Sequence, residues 1–181
     1  MRITPAVREL KTDPLTFTHF FRVNKTALRE AILAQLRADL ALQVGAAQLA
    51  RDEAISEESR AENKYDTHSQ EAAYLAEGQA KLATEINESL AIYAALPLSR
   101  FNAEDRAAVG AIVEVGTSGR SSWYFLGPRA GGMEVKLEDC SVLVLTPQSP
   151  LGRQLLGKRL GDSVLLPGRA HSAGQKILRI H

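Results

Sequence analysis

The side chains able to do chemistry are few and scattered. The densest group is the acidic stretch SEESRAENKYD, Ser56 to Asp66, with carboxylates at Glu57, Glu58, Glu62 and Asp66. Taken alone, a Glu-rich link of this kind is a solvated, capped turn between helices. Cys140 is the one thiol, so no internal disulfide is possible, and its strand-like surroundings suit a buried small apolar residue better than a nucleophile. His68 and His171 belong to no metal-ligand spacing and read as surface histidines. Gly131-Gly132 lacks the context of a phosphate loop and reads as a hairpin turn. The run Trp123-Tyr124-Phe125 could line a groove, but neighbours on a strand point to opposite faces, so it reads as half core and half surface.

The elements that hold the acidic stretch are two long helices. The first is capped by Asn24 or Thr26 and runs without proline to about Ile55. Leu33, Leu36, Leu40, Ala47, Ala50 and Ala54 follow the three-four alternation of an a/d seam, with Gln43 as one polar interruption. Ala72, Leu75, Gln79, Leu82, Ile86 and Tyr93 repeat that alternation in the second helix, which stops before Pro97. Two such helices joined by a short link must be antiparallel, and at ~1.5 Å rise per residue each is on the order of 45 Å long. Ser56 to Asp66 is then the tip of an arm.

The remainder is organised around that arm. Residues 1–23 carry Pro5 and Pro14, lack sustained periodicity and read as an irregular extension without the apolar core of a signal peptide. Residues 24–96 form the coiled-coil hairpin, with its acidic tip at 56–66, and 97–107 a linker; 108–181 form a small domain. In that domain Ala108–Val115, Trp123–Leu126, Met133–Leu137, Val142–Leu145, Val164–Leu166 and Lys176–Ile180 are strand candidates separated by Gly, Pro, Ser and Asp. Ser149 reads as the N-cap of one short helix, with Pro150 at its first position and Gly157 as its stop. The chain is therefore α+β, an antiparallel helical hairpin followed by a small antiparallel sheet with one helix. With 22 basic and 21 acidic residues the net charge is +1, which argues against a protein that coats nucleic acid. No apolar run of about 18 residues occurs, so no membrane span or membrane partner is expected, and a reducing cytoplasm fits the lone cysteine.

The run TPQSPLGRQLLGKRLGDSVLL, Thr146 to Leu166, resembles the C-terminal signature of the bacterial Gre transcript cleavage factors at Ser149, Pro150, Leu155, Gly157, Lys158, Gly161, Asp162 and Val164. In the arm, Glu62-Asn63 followed by Tyr65 and Glu71 resembles the acidic tip of that family, and the order of parts agrees from about residue 25 to 181. The resemblance implies a coiled-coil arm on an FKBP-like domain, in a transcription elongation factor that binds RNA polymerase. The domain would dock at the rim of the secondary channel, with Ser149, Pro150, Arg153, Lys158 and Arg159 as docking candidates. The arm would enter the channel and bring Glu62, or Glu57, Glu58 and Asp66, beside the polymerase Mg²⁺ where backtracked RNA is cut. The implied factor has no catalysis or cofactor of its own, shares that Mg²⁺ at the tip without holding it stably, and meets nascent RNA and DNA only through the polymerase complex.

One departure bears on the chemistry. The family places Asp three residues before the Glu of the Glu-Asn pair, and here that residue is Ser59, with Arg60 and Lys64 also in the tip. A channel competitor that does not stimulate cleavage is therefore the alternative. Two further alternatives are a coiled-coil adaptor for another partner and a peptidyl-prolyl isomerase, the latter disfavoured by the scarcity of aromatics for a proline pocket.

Overall fold

A computed structural model describes residues 23–55, 68–117, 120–138, 140–165 and 174–181. Helix α1 spans Lys25–Ile55 and α2 spans His68–Ala95. The cap of α1 is Asn24, whose Oδ1 accepts from the amides of Thr26 (2.9 Å) and Ala27 (3.2 Å), satisfying two of the first-turn donors. Helix α2 ends two residues before Pro97, which has no amide to continue the ladder. No described helix is long and apolar enough to cross a membrane.

Six strands follow: β1 (Ile112–Thr117), β2 (Arg120–Leu126), β3 (Glu134–Lys136), β4 (Ser141–Leu145), β5 (Ser163–Val164) and β6 (Gln175–Ile180), with α3 (Pro150–Leu155) between β4 and β5. They form one sheet in the order β3-β4-β2-β1-β6-β5. The sheet is mixed rather than purely antiparallel, because β2 and β4 run parallel, with Tyr124 opposite Leu143. The cause lies in the connections. Residues 127–133 form too long a link for a tight hairpin, so β3 falls on the far side of β4's position; the chain then returns, Leu137 N donating to Cys140 O, and β4 inserts between β3 and β2. Gly131-Gly132 is accordingly a turn but not a hairpin between paired strands. Residues 108–111 are also not strand: Gly110 adopts φ +92° and donates to Leu126 O in a turn that leads into β1.

Both faces of the sheet are covered. One carries Val113, Val115, Tyr124, Leu126 and Ile177 against Leu151 and Leu155 of α3. The other carries Ile112, Phe125, Val142 and Val144 against Leu28, Ile32, Leu33, Leu36 and Tyr93 at the base of the arm. This arrangement corrects the half-surface reading of the aromatic run. Tyr124 and Phe125 are buried on opposite faces and Trp123 is half-buried, because the arm covers the face that a lone antiparallel sheet would leave to solvent. Cys140 is half-buried beside the second cluster, in the link before β4 rather than in a strand.

Candidate functional site: the arm, its joint and the signature segment

The joint begins with Lys25. Its Nζ donates to Ser99 O (2.6 Å) and Gly110 O (2.8 Å) and lies 4.4 Å from the centroid of the Phe101 ring. The first turn of α1 is thereby tied to the linker and to the entry of the sheet at once. Half burial of the amine lowers it to about 8, since desolvation disfavours its charged form. On the other helix Tyr93 is fully buried, and its hydroxyl donates to Arg129 O at 2.6 Å. Burial pushes that hydroxyl above its ordinary range. The slot exists because residue 127 is glycine: a Cβ there would collide with the Tyr93 hydroxyl and press on Val144. Arg129 also pairs with Glu88 of α2 at 3.3 Å, both side chains being about half exposed, so this contact adds little beyond the tyrosine anchor.

The signature segment divides into residues that build shape and residues that face out. Ser149 Oγ accepts from Gly152 N (3.0 Å) and donates to Thr146 O (2.8 Å), so the cap is committed within the domain. Gly152 fits because a Cβ would strike the Thr146 carbonyl, and Leu155 is completely buried. Gly157 stops α3 at φ +75°, and its amide donates to Ala107 O while Lys158 O accepts from Ala107 N. Gly161 (φ +83°) donates to Ile177 O, and Asp162 Oδ2 accepts from Arg159 N at 2.8 Å, closing the turn that starts β5. The cations are left outside this framework. Arg153 and Arg159 are exposed, Lys158 is half-buried, and Pro150 is exposed at the start of α3. The docking candidates thus fall into Ser149, which holds the loop, and Pro150, Arg153, Lys158 and Arg159, which present surface.

Along the arm the seam differs from the expected alternation in one respect. Leu33, Leu36, Ala50 and Tyr93 are buried and Leu40, Ala47, Ala72, Gln79 and Ile86 half-buried, but Leu75 and Leu82 are 55% and 46% exposed. Ala76 and Ala83, each one residue later, turn toward α1 instead. At Ala76 alanine takes the inner position where the α1 seam is small as well, at Ala47 and Ala50, since helices meeting through small side chains approach closely and turn larger ones outward. One flank of the outer arm is a groove of about 570 Å³, lined by Val44, Gln48, Arg51 and Ile55 of α1 with Ala73, Glu77 and Ala80 of α2.

The tip acids Glu57, Glu58, Glu62 and Asp66, with Ser59, Arg60 and Lys64, lie outside the described residues, as do Ala54's side chain, residues 1–22 and His171. Glu71 is exposed in the first turn of α2, where a carboxylate complements the helix dipole. Among the described residues no three His, Cys, Asp or Glu side chains gather as a metal-binding group. Sequence reasoning missed Lys25, Gly127 and Gly152. Lys25 acts on a carbonyl 74 positions away and Gly127 makes room for a tyrosine of the distant α2, contacts that leave no local pattern. Gly152 did leave one, a glycine inside a six-residue helix where propensity disfavours it.

Fold and site together define an α+β protein in which a long helical hairpin is anchored by its base to one face of a six-stranded mixed sheet. Among solved structures, the chain is similar to the GreA factor homolog Gfh1 of Thermus thermophilus, with 22% identity and a TM-score of 0.30 over 82% of this chain and 94% of that one. It is likewise similar to Gfh1 of Thermus aquaticus, with 22% identity and a TM-score of 0.30 over 87% of this chain and 94% of that one. No protein-family model matches the chain, and no curated protein sequence does.

Proposed function

We propose that this protein is a transcription elongation factor of the Gre type, which binds RNA polymerase and inserts its helical arm into the secondary channel. The observation that carries this reading is the signature Ser149 to Val164 on the same chain as a hairpin of 31 and 28 residues. At ~1.5 Å per residue the helices are on the order of 40–45 Å long, and the part beyond Leu36, the last residue of α1 buried against the sheet, projects on the order of 30 Å from it, enough to bring a tip into a site that the domain cannot enter. Arg153, Lys158 and Arg159 form the docking surface, and the fixed joint at Lys25 and Tyr93 transmits that docking to the direction of the arm.

In this reading the chemistry belongs to the polymerase. Its Mg²⁺ ions stabilise the attacking and leaving oxygens during RNA cleavage, and Glu62 supplies an oxygen ligand or orients water at the second ion. Ser59 in place of the family's Asp, with Arg60 and Lys64 beside it, lowers the negative charge that such an ion needs. That observation favours a second reading, a factor that occupies the channel with weak or no stimulation of cleavage. The factor is added to purified backtracked complexes over a Mg²⁺ titration. Binding with weak cleavage, raised by Ser59→Asp and abolished by Glu62→Ala, is expected. Absence of binding to core polymerase at tens of micromolar would remove the proposal, and strong cleavage insensitive to Glu62→Ala would reassign the tip to Glu57, Glu58 or Asp66.

A further inference from the structure

The first turn of α1, the linker and the end of β6 border a pocket of about 470 Å³. Val23 and Leu98 give it an apolar wall, Phe101 an aromatic one, and Lys25, Arg100 and His181 its ionisable groups. That volume lies within the range of small-molecule sites, which likewise combine apolar walls with a few convergent polar groups. The helix amides are already committed: those of Thr26 and Ala27 donate to Asn24 Oδ1 and that of Leu28 to Asn24 O. Recognition in this pocket therefore rests on side chains.

Its cations lack a counter-charge. No Asp or Glu side chain lines the pocket, and among the described residues neither Lys25 nor Arg100 pairs with a carboxylate. Lys25 gives two of its three N–H groups to Ser99 O and Gly110 O, neutral acceptors that leave its charge uncompensated. The lowered affinity of that amine for its proton has this cause, desolvation with no anion to offset it. Arg100 is exposed and directly follows Ser99, so guanidinium and amine border one space from two segments of the chain. A carboxylate would answer one of these charges. A phosphate monoester carries about two and has oxygens enough to meet a planar guanidinium fork and an ammonium together.

We propose that this pocket binds a small phosphate monoester, its phosphate on Arg100 and Lys25 and a flat remainder against Leu98 and Phe101. Arg100 belongs to the linker and Lys25 to α1, so the bound phosphate bridges the two and adds to the ties that Lys25 already makes. Occupancy then stiffens the joint and holds the arm in one direction. Where the polymerase reading holds, entry of the arm into the channel responds to this ligand; the binding itself does not depend on that reading.

Calorimetric titration of the full chain without polymerase tests this, with uridine monophosphate as the probe and inorganic phosphate and uridine beside it. The monophosphate is expected to bind with a dissociation constant on the order of 100 µM, inorganic phosphate about tenfold more weakly and uridine not measurably. Arg100→Ala, at an exposed position, should weaken binding of the monophosphate by about tenfold with unchanged circular dichroism, because it removes a charge-assisted contact. Arg37→Ala removes the same charge from an exposed site on the arm and should leave binding intact. No binding of the monophosphate at about 5 mM would overturn the proposal and leave the pocket to another occupant. So would uridine binding as tightly as its monophosphate, or an affinity that Arg100→Ala leaves unchanged or that Arg37→Ala reduces equally.

Discussion

The two halves of the arm share the same helices but are held together by different forces. At the base, Leu28, Ile32, Leu33, Leu36 and Tyr93 are buried against Phe125, Val142 and Val144 of the sheet. Beyond about residue 40, Ala50 and Ala83 are the buried apolar residues among those described on the two helices, while Leu42, Leu49, Leu75 and Leu82 face solvent. Tertiary burial therefore fixes the base. The outer half depends on helix propensity and a narrow alanine seam, which bury little surface per residue. The difference suits a rod with an anchored end and a free end, and it makes the cost of a substitution depend on its height along the arm.

The largest effect should come from Tyr93→Ala. Removing a fully buried aromatic at the joint leaves a cavity and an unpaired Arg129 carbonyl, and is expected to cost roughly 3–5 kcal/mol in urea unfolding followed by circular dichroism. The comparison is sharpened by a pair of leucines six positions apart. Leu36→Ala should cost about 2–5 kcal/mol and Leu42→Ala less than about 0.5, measured in the same way. Equal costs would mean that the two halves of the arm are packed alike.

Lys25 provides a test with a sign. Its amine titrates near 8 in the folded protein against an ordinary 10.5, so between those values the unfolded chain holds more of the proton. Its contribution to stability therefore rises as pH rises through that window and is flat below it. Urea midpoints from about pH 7.5 to about 10 should climb more steeply for the natural protein than for Lys25→Met, and parallel curves would show that the amine is not desolvated at the joint. The smallest effect is expected from Glu88→Ala. It breaks the half-exposed pair with Arg129 and should change stability by about 0–1 kcal/mol.

Much of this architecture is legible in the residues. Asn24, Pro97, Ser149-Pro150 and Gly157 mark element ends by local chemistry, and each ends an element in the structure. The parallel pairing of β2 with β4 was not legible, because it depends on where the 127–133 link carries the chain rather than on any pattern within a strand. The seam was legible at the base, where large apolar residues recur, and shifted by one at Leu75 and Leu82, where hydrophobicity favours the leucine and close packing favours the alanine beside it. The signature showed which residues cluster in sequence. It did not show that Ser149, Gly157, Gly161 and Asp162 spend their polar groups on the turn, leaving Arg153, Lys158 and Arg159 to face outward.

The central claim is that the length of the arm is the working property of the molecule. Removing Leu40–Ala46 together with Glu77–Ala83 takes one heptad from each helix, preserves the seam and the base, and shortens the reach by ~10 Å. Purified RNA polymerase in a backtracked complex is then incubated with the full and the shortened protein at matched occupancy, and cleavage and extension of the RNA 3′ end are followed. We expect the shortened protein to bind and to lose its effect on the RNA end. An unchanged effect at equal occupancy would contradict the account.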